Sequence, residues 1–117
     1  MPDPIVLTFL VCDDVITDAA TQKKTVVGCF GDVFALSYPV LHPRLTLFAE
    51  LTNGHGTKKI ELKLVDASTD NQLFTIGGEV KFSMPHQLVH LIHQVYNVQL
   101  PKEGEYRFQL WSSGTLM

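Results

Sequence analysis

The run Leu100–Trp111, LPKEGEYRFQLW, limits the folds open to this chain more than any other stretch. Tyr106, Phe108 and Leu110 fall on one parity, while Glu105, Arg107 and Gln109 fall on the other. Successive side chains of a strand point to opposite faces of a sheet, so this alternation requires a half-buried strand. Pro101, Lys102, Glu103 and Gly104 form the turn that delivers it. Tyr106 has a ring to bury and a hydroxyl that can bond back to turn backbone, the arrangement of a tyrosine corner.

The other segments carry the same kind of pattern. Ile5–Cys12 is β-branched and aromatic with apolar residues on both parities, as a strand covered on both faces needs. Asp13-Asp14 then opens a polar connection that runs to Lys24. Thr25–Phe30 reads as a strand, Gly31-Asp32 as a bend, and Val33–Leu36 as a further strand. Pro39 and Pro43 make the following stretch a corner. Arg44–Thr52 alternates, with Leu45, Leu47, Ala49 and Leu51 on one face. So does Lys58–Asp66, with Ile60, Leu62 and Leu64 inward. Asn53-Gly54 between them is the preferred pair for a hairpin turn. Gln72–Ile76 and Glu79–Met84 flank a Gly77-Gly78 bend.

His86–Leu100 has two readings. Leu88, Leu91, Ile92, Val95 and Tyr96 have helical spacing. Val89, Val95, Tyr96 and Val98 favour a strand, and the strand reading is taken. The expectation is an all-β, antiparallel, immunoglobulin-like β-sandwich of seven or eight strands, with residues 1–117 forming one domain. A chain of 117 residues can bury a core without disulfide or metal staples.

Several residues quoted above also carry a resemblance. An apolar strand ends in Cys12-Asp13. Val15-Ile16-Thr17-Asp18 follows, then Lys24 before Val26 and Val27, with Phe30, Tyr38-Pro39, Pro43 and the run Leu45–Gly54. Leu62, Leu64, Asp66 and Gly104-Glu105-Tyr106-Arg107-Phe108 complete it. In these the chain resembles a family of short, uncharacterised bacterial domains of unknown function. The resemblance implies a small β-sandwich and strand character for His86–Leu100, and it implies no activity.

A net charge of −3 with no basic stripe argues against nucleic acid. The apolar run Ile5–Cys12 follows Asp3 with no Lys or Arg before it. It falls far short of the about 20 apolar residues that a spanning helix needs, so the expectation is a cytoplasmic protein with no membrane role. In that setting Cys12 and Cys29 read as reduced thiols, and in an oxidising compartment as one bridge.

The candidates for chemistry are few. His86, His90 and His93 would share one face of a helix and could there hold a metal. On a strand His93 points away from the other two. Asp13, Asp14 and Asp18 could gather around calcium, but lack the spacing of a known loop. No catalytic set and no cofactor motif is assembled, so the protein reads as non-enzymatic. Phe48 and Trp111 are large aromatics on the polar parity of their strands, and there they read as contact residues. The leading expectation is a module that docks on a partner protein or on a second copy of itself. The alternative is a ligand- or metal-binding module that uses the histidine segment or a cleft between sheets.

Overall fold

A computed structural model describes residues 4–31, 39–84 and 86–117. These residues form eight strands: β1 (Ile5–Thr17), β2 (Lys24–Cys29), β3 (Val40–Thr52), β4 (Gly56–Asp66), β5 (Gln72–Phe82), β6 (Val89–Leu100), β7 (Tyr106–Ser112) and β8 (Thr115–Leu116). They make two four-stranded sheets, ordered β2-β1-β3-β6 and β5-β4-β7-β8. The chain divides into two compact units. One holds most of the first sheet, and the other holds the second sheet with the ends of β1 and β3. Among the described residues there is no helix. No helix is therefore long and apolar enough to cross a membrane.

In the β5-β4-β7-β8 sheet, alternation on paper becomes register in space. β4 pairs antiparallel with β7 so that Leu62 faces Leu110, Leu64 faces Phe108 and Asp66 faces Tyr106. Ile60, Leu62, Leu64 and Leu110 are all buried, so this sheet's inner face is the one the period-two pattern assigns. The Phe74 and Phe108 rings meet edge-on with centroids 6.3 Å apart, an arrangement favoured by the ring quadrupoles. Asp66, buried at the end of β4, accepts from the Ser68 amide at 2.9 Å and the Ser68 hydroxyl at 2.7 Å, which fixes the turn into β5.

Four expectations are corrected here, the first being the corner at Pro43, which lies inside β3. The Gly77-Gly78 pair does not bend the chain, because β5 runs unbroken with Gly77 opposite Glu61 and Gly78 opposite Ile60. Asp13-Asp14 does not open a connection, since β1 continues through both to Thr17. The Asp14 carboxylate accepts from the Val15 amide at 2.8 Å and lies 4.0 Å from Arg44, so it is accommodated within a strand.

The fourth correction concerns Asn53-Gly54. β3 pairs in one sheet and β4 in the other, so this turn carries the chain between sheets and closes no hairpin. Asn53 takes φ +60°, but Gly54 is required for a different reason. A Cβ there would run into the Phe82 ring. The antiparallel hairpins are β1–β2, β4–β5 and β7–β8. The last turns through Ser113 and Gly114, both at positive φ as a primed turn demands. The expected strand Val33–Leu36 lies outside the described residues.

Candidate functional site

β6 is a strand, as expected, and it settles the histidine question residue by residue. His86 lies in the turn before it, where the Ser83 amide donates to Gln87 Oε1 at 2.6 Å. His90 and His93 are three apart on the strand and therefore point to opposite faces. The His90 ring stacks on Phe48 at 5.8 Å, while His93 is half-buried between Leu91 and Val95. Among the described residues, no three His, Cys, Asp or Glu side chains come together around a point that a metal ion could occupy.

The acidic residues of β1 and of the turn after it are likewise kept apart. Asp13 packs over Gly28, and Asp14 faces Arg44. Asp18 Oδ1 accepts from the amides of Ala20 and Thr21, both at 2.9 Å. Those amides hold the Asp18 carboxyl below the ordinary carboxylate range.

Phe48 is 4% exposed, so the polar-face reading of it is corrected. β3 lies inside its sheet between β1 and β6, and Leu45, Thr46, Leu47, Phe48 and Ala49 are all buried, so both faces of this stretch are covered. Trp111 belongs to the other sheet and is half-buried. Its ring carries the Lys63 ammonium 4.1 Å from the centroid, and its Nε1 donates to Gln109 Oε1 at 3.1 Å. Leu116 is its cross-strand neighbour on β8 and is half exposed.

β6 itself presents the surface that alternation did not single out. Among the described residues it ends the β2-β1-β3-β6 order. Its twelve residues, VHLIHQVYNVQL, include no Lys, Arg, Asp, Glu or Pro. Long sheet edges in natural proteins are usually blunted by such residues or by shortness. Here the only interruption is Asn97 at φ +54°, which shifts the inward parity so that Val95 and Val98 are both buried. On the outward parity, Ile92 is 39% and Tyr96 59% exposed. A polar chain fixes that face: the Tyr96 hydroxyl donates to Gln94 Oε1 at 2.6 Å, and Gln94 Nε2 reaches Asp14 Oδ1 at 3.5 Å. The signal for this edge was present in the sequence as a charge-free run, but it gains meaning only once strand order is known.

These features define an all-β domain whose most distinctive surface is a long, uncharged sheet edge. The chain belongs to a family of unknown function (DUF6941), which it matches over residues 7–117. Comparison with curated proteins and with solved structures finds no match.

Proposed function

We propose that this chain is a cytoplasmic, non-enzymatic interaction domain of immunoglobulin-like type that pairs with a second copy of itself through β6. The single observation that carries this reading is the twelve-residue strand free of charge and proline at the end of its sheet. Such an edge offers a row of backbone donors and acceptors that another strand can complete. A second copy is the occupant favoured by charge. Two β6 strands laid antiparallel about a two-fold axis bring no like-charged side chains together, and they place Ile92 and Tyr96 of each copy in one continuous apolar row. A different partner would be selected by complementary charge, which β6 does not display.

Strand order supports the immunoglobulin-like type. That fold sets strands A, B and E in one sheet and C′, C, F and G in the other. β1, β3 and β6 take the first three places and β5, β4, β7 and β8 the other four, with β2 added outside β1. Tyr106 then stands at the start of the F-like strand, where a tyrosine corner belongs. Three carboxylates that could carry chemistry are engaged in structure: Asp14 with Arg44, Asp18 with turn amides, Asp66 with Ser68. This favours binding over catalysis.

The test is light scattering of the purified chain across a concentration series, beside Ile92→Lys. Wild type is expected to be a dimer, and Ile92→Lys, which puts a charge from each copy into the shared apolar row, to weaken it more than about tenfold. A wild type that stays monomeric at every concentration removes the proposal, as does an Ile92→Lys variant that dimerises unchanged.

A further inference from the structure

Cys12 and Cys29 are sixteen residues of intervening chain apart, and the β1–β2 register sets them directly opposite each other. The Phe30 amide donates to the Val11 carbonyl at 3.3 Å. Hydrogen-bonded and non-bonded pairs alternate along an antiparallel ladder, so Cys12 and Cys29 are a non-bonded pair. Pairs of that kind bring Cα atoms to about 4.5 Å, at the short end of the range a disulfide spans. Both thiols are free, with Cys12 buried and Cys29 exposed. The Cys12 thiol is turned toward β3, where its Sγ lies 3.5 Å from the Thr46 carbonyl oxygen. It also lies 3.4 Å from the Asp14 carbonyl oxygen. Closing a bridge requires the Cys12 side chain to leave these weak contacts and turn to Cys29.

The residues next to the pair also meet across the two strands. Gly28, next to Cys29, has φ +67°, and the Asp13 carboxylate packs where its Cβ would be. Asp13 on β1 and Gly28 on β2 thus pack against each other one residue along from the two cysteines.

We propose that Cys12 and Cys29 form a dithiol site that reduces a low-molecular-weight disulfide and closes a cross-strand bridge between β1 and β2. Cys29 reacts first because it is the accessible thiol. Its thiolate attacks one sulfur of the reagent, the reagent's S–S bond breaks, and one thiolate leaves and takes up the proton that Cys29 gave to solvent. Cys12 then loses its proton and attacks the Cys29 sulfur, which breaks the mixed disulfide and expels the second thiol. The protein pair is oxidised by two electrons, and one reagent disulfide becomes two thiols. Burial, with the neighbouring Cys29 and Asp13, pushes the Cys12 thiol up, so this second step quickens as pH rises.

The experiment treats the reduced, full chain with oxidised glutathione, quenches with iodoacetamide and reads intact mass and the linked peptide. Wild type is expected to lose two hydrogens, block no cysteine with alkyl, and yield a Cys12–Cys29 peptide. Cys12→Ala is expected to stop at one glutathione on Cys29, and Cys29→Ala to stay unmodified while remaining alkylatable after unfolding. Circular dichroism of each variant confirms the β-sheet signal. The proposal is overturned if wild type stops at a glutathione adduct or forms only a bridge between two chains. It is also overturned if wild type fails to react while the Cys29 thiol alkylates freely.

Discussion

Phe48 and Trp111 sit on the same parity class of their strands, and their surroundings give opposite consequences for truncation. Phe48 is closed in by β3's neighbours and stacked on His90, so Phe48→Ala removes a buried ring and leaves a cavity. The expected loss is roughly 3–5 kcal/mol, read as a lowered urea midpoint by circular dichroism. Trp111 is half-buried and carries the Lys63 ammonium over its ring. Trp111→Ala is expected to cost only about 1–2 kcal/mol from partial burial and the cation–π contact. A Phe48→Ala chain with an unmoved midpoint would contradict the burial described for it. Parity within one strand set both aromatics on the polar side, and it misplaced Phe48 because β3 is an inner strand buried on both faces. That information is held in strand order, which no single strand encodes. The facing of Cys12 by Cys29 was hidden for the same reason, since register is set by the ladder between β1 and β2.

At the level of elements, turn chemistry proved easier to locate than to interpret. Asn53-Gly54 marks a reversal whether the chain returns in the same sheet or passes to the other, and only the strand order, which puts β3 and β4 in different sheets, distinguishes this case. The Tyr106–Leu110 and Ile60–Leu64 alternations were legible because each has one apolar face and one polar face. β6 was ambiguous because its apolar residues satisfy both helical and strand spacing, and β-branched residues decided it. The β1–β2 hairpin has its own pH dependence. Asp18 ties the loop through the Ala20 and Thr21 amides, which lower its folded-state carboxyl below the unfolded value. The stability this adds is complete above the unfolded value and is lost as pH falls through the folded one, a window below about pH 4. Amide shifts of Ala20 and Thr21 in an NMR titration should therefore move together at acid pH. Asp18→Asn, which keeps an acceptor but cannot titrate, should flatten them. Shifts that persist in the asparagine variant would place the cause elsewhere.

At the scale of the whole molecule, β4 and β6 stand at opposite ends of one hierarchy of protection. β4 is bonded on both sides, to β5 and β7, and carries Ile60, Leu62, Leu64 and Val65 in the buried core. Its amides open only with the unfolding of its sheet, so they are expected to exchange slowest at any protein concentration. β6 has β3 on one side, and its other row of backbone groups is completed, on the reading above, by a second chain. Exchange at that outer row should then slow as protein concentration rises, because dimer formation draws on mass action and local opening does not. In Ile92→Lys the same amides should exchange quickly at every concentration, while β4 stays as protected as in wild type. The paired measurement separates a lost interface from a damaged fold: if β4 protection also falls in the variant, the lysine has disturbed the sheet. If β6 protection is independent of concentration in wild type, the outer edge is not held by a partner copy.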